Sequence, residues 1–164
     1  MRVAIRSALV RVIQAAHPDT EVRLTASIET VDFEKKNLDG AIRLGDGQWP
    51  GLEVDRLVAN ELTPLRAPAY RRKLDLKRPE DLTRARLPHT LVRFDDWRFW
   101  LESVGVGGID AYAGDKFASS TLSYQAALEG QGIMMAQKAL FADDLRARRL
   151  VAPVKPVLDR GDFT

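Results

Sequence analysis

Two groups of small hydroxyl residues carry the most suggestive chemistry in this 164-residue chain. Ser119-Ser120-Thr121 stands just before an apolar-periodic stretch (Leu122, Ala126, Ala127), and Thr25-Ala26-Ser27 stands at the carboxyl end of an alternating one. A helix N-terminus offers free backbone N–H groups and the positive end of the helix dipole, which suits a polar or anionic ligand. The same residues serve equally well as plain N-caps, where the hydroxyl oxygen accepts from an early helical N–H. Two such groups, one in each half of the chain and facing a common cleft, are more specific than either alone. Arg43 adds either a fixed positive charge for a carboxylate or an ordinary surface salt bridge.

Catalysis is poorly provided for. His17 precedes a proline at a helix end and His89 enters a strand, and neither has a partner at a recognisable spacing. The adjacent carboxylates Asp95-Asp96 and Asp143-Asp144 project in different directions and suit caps better than acid–base pairs. No serine sits in a nucleophile elbow, and no metal-ligand spacing occurs. With no cysteine, thiol catalysis, disulfides and thiolate metal sites are excluded. The chain is therefore read as a non-enzyme requiring no metal or cofactor. Gly45-Asp46-Gly47 shapes a turn more readily than it cradles phosphate. Arg71-Arg72-Lys73 and the arginines at 146, 148 and 149 lack interleaved aromatics and read as solvated faces.

These residues need elements to position them. Ile5, Leu9, Val12, Ile13 and Ala16 recur at helical spacing, and His17-Pro18 stops that helix. Alternation at 21–26 predicts a strand whose Val22 and Leu24 line either the core or a subunit interface. A helix is expected over 31–37 and a strand over 39–44, followed by the turn residues Trp49-Pro50-Gly51. Extended segments follow at 52–57 and 61–66, the second made an edge or crossover segment by Pro64. Short helices are predicted at 68–73 and from Pro79. Strands at 90–94, 116–118, 133–136 and 150–154 then alternate with helices at 97–104, 121–129 and 139–147. This alternation implies an α/β protein with a partly parallel sheet and right-handed crossovers. Ligands of such sheets sit beyond the carboxyl ends of the strands.

Apolar residues at 45% support a real core, and Lys+Arg 25 against Asp+Glu 23 leaves +2, too little for an electrostatic nucleic-acid footprint. No apolar run approaches a membrane span and the first residues do not form a secretion signal, so a cytoplasmic protein is expected.

Longer blocks carry a resemblance. "VDFEKKNLDGAIRLGDGQWPGLEVDRL" (31–57), "PEDLTRARLPHTLVRFDDWRFWLESVG" (79–105) and "FASSTLSYQAALEGQGIMMAQKALFADDLRARRLVAP" (117–153) resemble the effector-binding domain of LysR-type transcriptional regulators, in the branch typified by the glycine-cleavage activator. "AAHPDTEVRL" (15–24) and "LTPLRAPAY" (62–70) are similar to its helix end and its crossover. The resemblance implies a periplasmic-binding-protein-like (type 2) fold with two lobes, residues 1–66 with 154–164 returning, and residues 67–153. It implies a polar or anionic small-molecule effector held between the lobes by Thr25, Ala26, Ser27, Ile28, Arg43, Ala67, Pro68, Arg93, Phe94, Ser119, Ser120 and Thr121. It also implies a homodimer pairing lobe I with lobe II, and DNA contact only through a helix-turn-helix domain absent from this sequence. The pattern's first strand and its last strand and helix are absent too, so the effector domain is expected to be truncated at both ends. A free-standing cytosolic binding protein, or a gene remnant without function, would show the same blocks.

Overall fold

The computed structural model describes residues 3–25, 32–33, 37–70 and 74–163. They form two compact units, Met1–Val58 with Asp162–Thr164, and Ala59–Gly161.

The smaller unit opens with α1, Val3–Ala16. Its last turn continues through His17 N–H to Ile13 O at 2.7 Å, and Pro18 then ends the helix as expected. The strand predicted at 21–26 does not form over 21–25, which have no ladder partner among the described residues. Arg23 instead pairs with its own neighbour Glu21 at 2.9 Å. Of the helix predicted at 31–37, only residues 32, 33 and 37 are described. Asn37 is left-handed (φ 49) and Leu38 N–H reaches back to Phe33 O at 3.3 Å, the signature of a helix C-terminus. The strand expected at 39–44 shrinks to β1, Leu44–Gly45. Beyond it, Trp49-Pro50-Gly51-Leu52 makes a turn closed by Leu52 N–H to Trp49 O at 3.1 Å. Proline leads it and Gly51 takes φ 79, the demand of a type II turn.

The larger unit is built around β2, Val58–Leu65. A six-residue 3-10 helix, Pro79–Arg84, follows where proline and acids predicted a helix start. Asp81 Oδ2 accepts from Lys77 and Arg78 N–H, both at 2.9 Å, which anchors that start. The turn at 68–70 replaces the first half of the helix expected at 68–73; the remainder lies outside the described residues. Next come β3 (His89–Thr90), a 3-10 turn Leu91–Arg93, and α2 (Asp96–Ser103). The strand expected at 90–94 thus ends at Thr90. β4 (Lys116–Phe117), α3 (Ser120–Leu128) and β5 (Met134–Gln137) follow, close to their predicted places. The helix predicted at 139–147 splits into a 3-10 segment, Lys138–Phe141, and α4, Ala142–Arg146. The strand predicted at 150–154 is reduced to one bridge, Val151 to Arg66, because Pro153 has no N–H to extend a ladder. β6, Leu158–Phe163, was not predicted.

β3 and β4 are parallel, with Thr90 opposite Phe117. β2 and β5 are antiparallel, Leu62 facing Gln137 and Leu65 facing Met134. β6 flanks β2 on its other side, so of the two roles Pro64 allowed, edge or crossover, the edge is excluded. The last residues of β6 pair with β1 in the smaller unit, Asp162 opposite Gly45, and Asp162 also holds Arg56 at 2.8 Å.

The core of the larger unit gathers Leu62, Leu82, Leu87, Trp97, Trp100, Leu101 and Ile133. Trp97 and Trp100, one turn apart on α2, meet edge to face at 6.1 Å. Both indole N–H groups are satisfied, by Pro88 O at 3.1 Å and Pro156 O at 3.3 Å.

Candidate functional site

The parallel pair β3–β4 sets up a site by topology. Both strands end at the same edge: the chain leaves β3 into the turn that carries Arg93 and Phe94, and leaves β4 into the N-terminus of α3. Ser119, Ser120 and Thr121 therefore stand beside Arg93 and Phe94 at one carboxyl edge.

Ser119 is the N-cap, its Oγ accepting from Leu122 N–H at 3.4 Å. Ser120 is half-buried and Thr121 exposed, and neither hydroxyl makes a hydrogen bond among the described residues. Two hydroxyls and the orphan N–H groups of the first turn are thus available at the positive end of a nine-residue helix.

Arg93 is largely buried, and its Nη1 lies 3.3 Å from Asp96 Oδ2. That contact is ionic only: Nε and Nη1 are both buried without a hydrogen-bond partner. Burial pushes the Arg93 guanidinium down, opposed by Asp96, and pushes the Asp96 carboxyl up, opposed by Arg93 and Arg160. A buried cation holding two unused donors favours a further acceptor. Phe94 is packed between His89 (5.3 Å) and Tyr112 (5.1 Å), with Lys116 Nζ 5.8 Å from its ring. His89 itself is buried and its Nε2 lies 3.0 Å from Ala113 O, an engaged structural imidazole.

β5 adds residues that the sequence reading missed. Ile133 N–H bonds Arg86 O at 2.9 Å, so β5 starts beside the segment leading into β3. It ends at Gln137, whose Nε2 donates to Asn60 Oδ1 at 2.9 Å, and Asn60 Nδ2 donates to Arg160 O at 3.2 Å. Both carboxamides are buried, Asn60 at 3% and Gln137 at 8% exposure. The available signal was a single polar residue closing the apolar run Ile133–Ala136.

Ala67 and Pro68 lie elsewhere. They follow the end of β2 that faces the start of β5, and Tyr70 backbone sits 3.9 Å from where a Cβ on Gly130 would lie, at the far end of α3. A nine-residue helix, about 13 Å long, separates them from Ser120. Arg66 Nη1 donates to the carbonyls of Ala67, Pro68 and Tyr70 at 3.1–3.3 Å, which fixes that turn. Thr25 and Arg43 belong to the smaller unit, Thr25 exposed and Arg43 half-buried and already engaged. Ala26, Ser27 and Ile28 lie outside the described residues. Among the described residues no group of His, Cys, Asp or Glu is placed to hold a metal. None of their helices is long and apolar enough to cross a membrane.

Residues 5–162 match the family described as LysR substrate binding domain. The chain is 35% identical over 145 residues to the glycine cleavage system transcriptional activator of Escherichia coli K12, covering 88% of this chain and 47% of that protein. It is 32% identical over 157 residues to the transcriptional activator AmpR of Pseudomonas aeruginosa, covering 92% and 50%. The chain thus spans about half the length of the curated relatives it matches. Among solved structures, the effector domain of Pseudomonas aeruginosa AmpR aligns with TM-score 0.76 and 29% identity, over 96% of this chain and 75% of that one. The effector-binding domain of Citrobacter freundii AmpR aligns at 0.75 and 25%, over 96% and 78%.

Proposed function

The chain belongs to the LysR substrate-binding domain family, and on that premise we propose that it senses a small polar or anionic metabolite for a transcription regulator. The observation that carries the reading is the carboxyl edge of β3–β4. There Arg93, with two buried unused donors, stands beside the N-terminus of α3 with its uncommitted Ser120 and Thr121 hydroxyls. Ser119 and Phe94 shape the same edge, and the Asn60–Gln137 carboxamides supply further polar atoms. Ala67 and Pro68 act through the placement of β2. Thr25, Ala26, Ser27, Ile28 and Arg43 rest on the family resemblance alone.

The effector acts by population shift: it favours whichever state of the domain binds it more tightly, by the ratio of the two affinities. DNA is contacted by a separate domain of the regulator, and the protein works in the cytoplasm. A second copy covers part of the smaller unit, where Val12 and Leu24 are 67% and 42% exposed. The effector is bound and not transformed, a reading supported by relatives named as transcription regulators and by the engaged state of His89.

A thermal-shift screen of amino acids, aromatic acids and dicarboxylic acids tests the reading. The expected result is stabilisation by one anionic class, with Ser120→Ala weakening it by about 1 kcal/mol in calorimetry. No stabilising compound, or equal affinity in Ser120→Ala, overturns it.

A further inference from the structure

The larger unit holds a second hollow, unrelated to the β3–β4 edge. Thr63 and Leu65 alternate with Leu62 along β2 and so point away from the face that Leu62 gives to the core. With Leu76, Leu145, Val154 and Val157 they form the apolar part of a hollow of about 640 Å³. That volume lies within the ~300–1,000 Å³ usual for small-molecule pockets. Lys77, Lys138 and Lys155 also line it, and no Asp or Glu does. Arg93, Asn60, Gln137 and the Ser119–Thr121 group take no part in its lining.

We propose that this hollow is a second ligand site, for an amphipathic monocarboxylate of medium chain length. The charge pattern selects an anion. Lys77 pairs with Asp75 at 2.6 Å and Lys138 with Glu61 at 3.0 Å, both exposed ion pairs that hold little energy and exchange partners readily. Lys155 makes no hydrogen bond or ion pair among the described residues. Lys155 is the rim cation left without a partner among the described residues; one anionic head satisfies it, and the floor accepts an alkyl tail. The lining contains no aromatic ring, so a nucleobase has nothing to stack on. A twofold contact with a second copy of this face would set the lysine rims against each other.

Calorimetric titration of the full 164-residue chain with octanoate tests the site, with octanamide (same tail, no charge) and butyrate (same charge, short tail) as comparators. The expected result is saturable one-to-one binding of octanoate, with butyrate weaker by on the order of a hundredfold. Lys155→Ala weakens octanoate by roughly fivefold, and octanamide binds the unsubstituted chain weaker than octanoate by a similar factor. Amide resonances that move on titration are those of Leu76, Leu145 and Val154. Absence of saturable binding, octanamide binding as tightly as octanoate, unchanged affinity in Lys155→Ala, or shifts centred on Ser119–Thr121 each overturn the proposal.

Discussion

Tyr124 donates its phenolic hydrogen to Asp144 Oδ1 at 3.0 Å, tying α3 to α4 one turn below Ser120. Asp144 is fully buried and receives Arg149 Nε on the same oxygen at 2.7 Å. Tyr124→Phe keeps the ring against Phe141 and removes only the hydroxyl. The expected loss is about 1 kcal/mol in a urea melt. An unchanged midpoint at unchanged slope would show that the tether contributes nothing.

Asn60→Ala leaves the buried Gln137 amide without its acceptor. A loss of about 1–3 kcal/mol is expected, since an unsatisfied buried donor bears its full desolvation cost. Replacing both partners with leucine should recover part of it. A double variant less stable than the single one contradicts this account.

Asp81 predicts a pH dependence. Hydrogen bonds from the Arg78 and Lys77 N–H groups hold its carboxyl below the usual aspartate range. A depressed folded-state value means stability that is present above the ordinary aspartate pKa and lost as pH falls through the lowered one. Asp81→Asn should therefore narrow the difference in urea midpoint between neutral and strongly acidic buffer. Parallel acid limbs for wild type and variant would count against it.

Gly114 sits at φ 123, and a Cβ there would lie 2.5 Å from Leu87 O. Gly114→Ala should cost more than about 2 kcal/mol, from backbone strain and collision together. Gly107→Ala is the control, because nothing lies within 4 Å of its Cβ position. That change should stay within about 0.5 kcal/mol. Equal thermal midpoints for the two variants would remove the assignment.

How much of this was legible beforehand depends on how local each cause is. The Ser119 cap and the helix near 97–104 were readable because cap and helical pattern are set within a few residues of one another. Strand extents were not, because they depend on partners: β1 is two residues long because only Leu44 and Gly45 meet β6. β6 itself escaped notice because Gly161, at φ 86, interrupts its alternation. Pro64 left an edge or a crossover open, and β2, with neighbours on both sides, is not an edge. Ser119–Thr121 and Arg93 follow the ends of two parallel strands, whereas Ala67 and Pro68 sit at the opposite end of α3. The Asn60–Gln137 contact spans 77 positions and only the fold reveals it.

A carboxamide has a hydrogen-bond donor at one end and an acceptor at the other, and a half-turn about its terminal bond exchanges them. In the Asn60–Gln137 couple a third group fixes the choice: Asn60 Nδ2 donates to Arg160 O, and a half-turn of Asn60 would set two carbonyl oxygens against each other. What this couple offers a neighbour therefore changes only when the strand carrying Arg160 moves, not when a side chain turns.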